Sequence, residues 1–221
     1  CTITSLDISD NPLGYSLEKG GYGHEAALDM RIALQNTNTL THLNMSDCQF
    51  ARVDIVSILG GVSTNDSLKR IILRDQLIDE PSALQLAHGL ASCRMLTVLD
   101  IANTQLGPKG GLLIANRLQS TASRLKYIDM SQNNIGPVPS IPIQRTLEDP
   151  ECVLHTLYLA GNNLQDEGGT YVAKGMKNNT SLKDVDLSDN QLTETCAEVI
   201  ADVARGLFKD GKKVCDCQLT R

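Results

Sequence analysis

The chain has 221 residues, of which 41% are apolar, 21% charged and only 3% aromatic, with no tryptophan and a formal net charge of −6. That acidic balance argues against a general nucleic-acid or anionic-membrane surface, and no run of 18 or more apolar residues is present to cross a bilayer. Seven scattered cysteines (Cys1, Cys48, Cys93, Cys152, Cys196, Cys215 and Cys217) suit reduced thiols better than a disulfide framework, so the expected location is cytoplasmic, with a nuclear or cytoskeleton-associated one as the alternative.

Self-similarity organises the rest. In chain order, the segments ITSLDISDNPL from Ile3, LTHLNMSDCQF from Leu40, LKRIILRDQLI from Leu68, LTVLDIANTQL from Leu96, LKYIDMSQNNI from Leu125, LHTLYLAGNNL from Leu154 and LKDVDLSDNQL from Leu182 stack in register. Their starts lie 37, 28, 28, 29, 29 and 28 residues apart. Aliphatic residues at positions four and six of each segment alternate as in a half-buried strand.

Between the strands the spacing predicts helices. The first connection is lengthened by the Gly/Tyr-rich stretch at 14–23, read as a surface insertion or as a binding loop. The second connection is expected to end its helix at Gly60-Gly61. In the fifth, Pro137, Pro139 and Pro142 in the stretch 136–150 predict extended chain, then a short helix to about Asp149, with a dent on the outer side. GTYVAKGMKNN from Gly169, ending at Asn178-Asn179, and TETCAEVIADVARGL from Thr193 repeat apolar residues at three or four. Near the end Leu219 is positioned to begin one more strand. Neither end offers an obvious polar cap, which points to a fragment of a longer protein, residues 1–221 forming a single domain of seven repeats.

The ninth position holds Asn11, Cys48, Gln76, Thr104, Asn133, Asn162 or Asn190. A buried polar side chain there, where the chain leaves the strand, can bond the bare backbone of its own turn and of the next. Strands stack about 4.8 Å apart and helices about 8–10 Å apart. An α/β horseshoe follows, a solenoid with parallel strands on the concave face and helices on the convex one.

The period of 28–29 residues, the run VDLSDNQL from Val185 to Leu192 and the helix-end NNTSL from Asn178 resemble the ribonuclease-inhibitor-like class of leucine-rich repeats. That class includes ribonuclease inhibitor, the Ran GTPase activator, tropomodulin, NLR-type sensors and CARMIL-type actin regulators. The resemblance covers about residues 3–208. It implies the same horseshoe, and a scaffold that binds other proteins.

Signatures of catalysis are missing: there is no HExxH and no paired CxxC. GLFKDGKK at 206–213 follows a helix and lacks the final Ser/Thr of a phosphate loop. Cys215-Asp-Cys217 has no second pair in register, so an edge-strand reading is set above a metal or redox one. His24 is assigned to a loop, His42 and His155 to strands and His88 to a helix, so they are not expected to converge. No enzyme activity, metal or cofactor is expected.

What remains is the inner face, where positions three, five and seven are expected to point to solvent. Ile72, Val98, Tyr127 and Tyr158, flanked by Arg70 and Arg74, form an apolar strip on it, the kind of anchor set that interfaces use. Asp100, Asp129 and Asp186, with Asp7, Asp10, Asp47, Asp75, Asp184 and Asp189, make the face acidic. Either that acid selects a basic protein partner, or it is the default surface of the repeat class. The expected function is a non-catalytic protein–protein interaction module of an intracellular scaffold or cytoskeletal or regulatory protein. The alternative is a regulator of a small GTPase or other enzyme, resembling the Ran type. Neither nucleic acid nor membrane is expected as a partner.

Overall fold

The computed structural model describes residues 2–14, 22–119, 124–207 and 216–218. Strands and helices alternate: β1 (Ser5–Asp7), α1 (Tyr22–Asn36), β2 (His42–Asn44), α2 (Arg52–Val62), β3 (Arg70–Ile72), α3 (Glu80–Ser92), β4 (Val98–Asp100), α4 (Gly107–Leu118), β5 (Tyr127–Asp129), α5 (Ser140–Glu148), β6 (Thr156–Tyr158), α6 (Gln165–Met176), β7 (Asp184–Asp186), α7 (Glu194–Leu207) and β8 (Asp216–Gln218). All neighbouring strands pair in parallel, in sequence order from β1 to β8. The register is that of the repeat: His42, Arg70, Val98, Tyr127, Thr156 and Asp184 stand side by side at position three. The chain is therefore a leucine-rich-repeat horseshoe with strands inside and helices outside.

The core is one aliphatic ladder. Position four (Leu43, Ile71, Leu99, Ile128, Leu157, Val185) and position six (Met45, Leu73, Ile101, Met130, Leu159) are buried, and Ile55, Leu59, Leu86, Ile114 and Val172 cover them from the helices. Each such side chain contributes about 1.5–3 kcal/mol of transfer free energy.

Four local expectations are corrected. The strand beyond β7 comprises Asp216–Gln218, not a segment starting at Leu219. Its register sets Cys217 opposite Val185, and a cysteine at an otherwise aliphatic position hides the strand from an aliphatic template. Gly60 and Gly61 lie inside α2 and do not end it. A Cβ on Gly61 would come within 2.8 Å of the Arg31 carbonyl oxygen, so glycine here lets α2 approach α1 closely. The prolines of the fifth repeat do not hold extended chain: Pro139 sits at φ −62°, ψ −18° and leads directly into α5. Pro142 falls in the first turn, where a helix needs no N–H; α5 does end at Glu148. His24 belongs to α1, and its Nδ1 lies 2.9 Å from Oδ1 of the buried Asp54. Of the 14–23 stretch, residues 15–21 are outside the described residues, as are Cys215, Leu219 and residues 208–213 of the GLFKDGKK segment.

Candidate functional site

The turns that leave the strands fix the concave face. At position eight the backbone is left-handed in every repeat: Asp10, Asp47, Asp75, Asn103, Gln132, Gly161 and Asp189 all have positive φ. Aspartate, asparagine and glycine tolerate that conformation best. At position five the carboxylate or amide caps its own turn. Oδ1 of Asp7, Asn44, Asp100, Asp129 and Asp186 accepts the amide of the residue two further on, at 2.9–3.1 Å. Most of the aspartates of the inner face thus have a backbone reason to be there.

Position nine forms a ladder. Asn162 accepts the amides of Asn133 and Ile135 through Oδ1 (3.0 and 3.4 Å) and donates through Nδ2 to the carbonyls of Met130, Leu159 and Ala160. Asn133 and Asn190 make the equivalent bonds. Each side chain thus bonds its own turn and the preceding repeat, where a bond to the next repeat is expected from the sequence. Gln76 donates to Met45 O, Cys48 to Ile8 O, Thr104 to Ile101 O and Asn11 to Ile8 O. A second set of side-chain bonds, unseen in the sequence, lies three residues before the first leucine of repeats three, four and seven. Asn65 donates to the carbonyls of Leu34 and Thr37, Cys93 to those of Val62 and Asn65, and Asn179 to that of Leu147. The signal for it was the recurrence of Asn or Cys at that offset.

On the face itself the structure brings together Arg74, Asp100 and Asp129. The Arg74 guanidinium lies 3.1 Å from Asp100 and 2.8 Å from Asp129. Asp100 and Asp129 do not point to solvent as expected; they are 9% and 4% exposed, covered by Arg74, while the arginine side chain remains 45% exposed. Burial, and then Asp129, pushes the Asp100 carboxyl above its ordinary value against the pull of Arg74. Burial opposes the charge on Arg74 too, yet Asp100 and Asp129 outweigh it and hold the guanidinium above its ordinary value.

Next to this cluster the rings of Tyr127 and Tyr158 meet edge to face, centroids 5.7 Å apart and planes at 79°. Tyr158 donates its hydroxyl to Asp184 Oδ2. That hydrogen bond foremost pushes the Tyr158 phenol up to about 12, and burial does the same for Tyr127. Both rings are half-buried, as are Ile72 and Val98, which lie opposite Asp100 and Tyr127 respectively. Asp186 is half-buried opposite Tyr158. Arg70 is exposed and has no ion pair among the described residues. The face therefore offers a rigid aromatic pair, a pinned guanidinium and two phenols that stay neutral at physiological pH.

A family model described as "Leucine Rich repeat" matches residues 1–16, 36–58, 92–115, 152–173 and 178–201. The chain is 23% identical over 217 residues to NACHT, LRR and PYD domains-containing protein 3 of Homo sapiens, covering 88% of this chain and 21% of that protein. It is 24% identical over 204 residues to ribonuclease inhibitor of Mus musculus, covering 91% of this chain and 42% of that protein. Protein CARMIL of Dictyostelium discoideum is 23% identical over 197 residues, covering 86% of this chain and 18% of that protein. The chain spans between about a fifth and less than half of the length of these relatives.

Proposed function

Because this chain is built of leucine-rich repeats, we propose that it is a non-catalytic protein-interaction module of an intracellular scaffold or cytoskeletal or regulatory protein, receiving its partner on the concave face. The observation that carries the reading is the Tyr127–Tyr158 pair beside Arg74. Aromatic and arginine side chains dominate binding energy when they are central, and groups already held in place lose little freedom on binding. Ile72 and Val98 extend the apolar strip, Arg70 and Asp186 flank it, and the pinned Asp100 and Asp129 serve it by fixing Arg74.

One similar protein, ribonuclease inhibitor, is named for the enzyme it inhibits, which supports a protein as the partner here. The buried, free thiols of Cys48, Cys93 and Cys196 support a reducing compartment. Acid without an ion pair among the described residues lies where the strands end, at Asp10, Asp47, Asp75 and Asp189. It supports a partner that brings positive charge to that edge.

The test is affinity capture from the native lysate, followed by hydrogen exchange on the purified complex. Protection is expected at the ends of β3 to β7, around Arg74, Tyr127, Tyr158 and Asp186. Protection confined to α1–α7 would overturn the reading.

A further inference from the structure

Parallel strands place all their starts along one edge of the arc and all their ends along the other, and these two edges differ in charge. Asp10, Asp47, Asp75 and Asp189 line the edge where the strands end. Along the opposite edge, position two carries Lys69, Lys126 and Lys183, all exposed. Their backbones are tied into one ladder: Thr97 and Val98 donate to Lys69 O, His155 and Thr156 to Lys126 O, and Lys183 to His155 O. Two strand spacings separate one lysine from the next, so the row runs for about 20 Å. Arg94, Arg124 and Lys177 stand exposed in the turns beside it, opposed by Asp66, Asp149 and Glu151.

The same edge holds a groove of about 450 Å³ where it passes repeats one to three, lined among others by Gln35, Asn38, Thr64, Asp66, Ser67 and Lys69. Several of its polar groups are committed internally: Ser67 donates to Leu40 O, Thr64 to Gly61 O and Thr41 to Thr4 O. The Lys69 ammonium and the side-chain amides of Gln35 and Asn38 have no such partner among the described residues. An ammonium and two amides that can each donate suit an acceptor-only group, and a carboxylate is the acceptor-only side chain of proteins; Asp66 in the same lining repels such a group, and Lys69 is the charge that offsets it.

We propose that this edge is a second contact surface, distinct from the concave strip, which takes an acidic, extended polypeptide segment with one carboxylate seated in the groove at Lys69 and others on Lys126 and Lys183. A segment of six or seven extended residues spans about 20 Å. A nucleic acid fits less well, because its unbroken charge would lie partly against the aspartates of the far edge. Charge of opposite sign on the two edges also fixes which way round a partner sits.

The test uses a fluorescein-labelled decapeptide alternating glutamate with serine, its glutamine counterpart and a ten-nucleotide oligouridylate, read by anisotropy and by amide chemical shifts of the intact chain. The glutamate peptide is expected to bind in low salt, to shift Asn38, Lys69, Lys126 and Lys183, and to weaken by about tenfold in Lys69→Glu/Lys126→Glu. Lys69→Gln/Lys126→Gln should give a smaller loss and guards against misfolding of the reversal variant. Tyr127→Ala/Tyr158→Ala should leave peptide affinity unchanged, so failure here and failure of the concave-face reading are distinguishable. Equal binding of the glutamate and glutamine peptides, insensitivity to charge reversal, shifts elsewhere on the surface, or tighter binding of oligouridylate would each overturn the proposal.

Discussion

Tyr127 and Tyr158 touch although they occupy different positions of their repeats: Tyr127 is third in its segment and Tyr158 fifth, and the rings cross diagonally between β5 and β6 at 5.7 Å. Register places Thr156 opposite Tyr127 and Asp129 opposite Tyr158. Both direct neighbours are small enough for the two rings to lean together.

The asparagine ladder should govern stability. Asn162 is fully buried and gives the amides of Asn133 and Ile135 their acceptor. Asn162→Leu leaves both donors unpaired and is expected to cost about 2–5 kcal/mol, read as a lowered urea midpoint and melting temperature. Asn11→Leu, at the exposed first turn, should cost less than about 1 kcal/mol. Equal midpoints for wild type and Asn162→Leu would remove the ladder's role.

Adjacent glycines of α2 should respond in opposite directions. A Cβ on Gly60 meets nothing nearer than the Arg31 side chain at 3.9 Å, whereas one on Gly61 meets Arg31 backbone atoms at 2.8 and 3.0 Å. Gly60→Ala is expected to stabilise by about 0.5–1 kcal/mol, and Gly61→Ala to destabilise by about 1–3 kcal/mol. Denaturant titration of the two variants checks the sign.

Asp100 should show in the pH dependence. Its folded-state value is raised above 3.8, so the folded chain holds this proton more tightly than the unfolded one. That contribution to stability is fully present below 3.8 and is lost as pH rises through the raised value. Asp100→Asn keeps the oxygen that accepts the Ala102 amide and removes the charge beside Asp129. It should be no less stable than wild type at pH 7, and the stability–pH curve should flatten above 3.8. Arg74→Ala, which uncovers both carboxylates, should lose about 1–2 kcal/mol at pH 7. Titrating unfolding free energy between pH 3 and 8 separates the variants.

Thiol reactivity offers an independent check on the core. Burial pushes Cys48 and Cys93 up to about 11, which leaves about a thousandth as thiolate at pH 8. Both should resist alkylation in the native chain and react on unfolding, while the half-buried Cys152 reacts before the buried Cys48, Cys93 and Cys196. Native labelling of Cys48 at the rate of an exposed thiol would contradict its placement.

The fold was legible because the aliphatic ladder is periodic: leucine and its equivalents at positions one, four and six repeat every 28–29 residues after the first segment. Position nine was legible for the same reason. The site was read less well. Aspartate at position five looks the same whether it caps a turn or awaits a partner, and Arg74 reaches carboxylates 26 and 55 residues away, a relation no local pattern encodes. Gly61 carries no sign of the Arg31 backbone against it. The lysine row was visible once the segments were aligned, but position two does not point into the arc, so attention to the inward positions passes over it.

The concave face as a docking surface is tested most directly by one dissociation constant. With the captured partner purified, Tyr127→Ala/Tyr158→Ala is expected to weaken binding by more than about tenfold while the circular dichroism and melting profile stay those of a folded solenoid. An unaltered dissociation constant in that folded double variant would contradict the account.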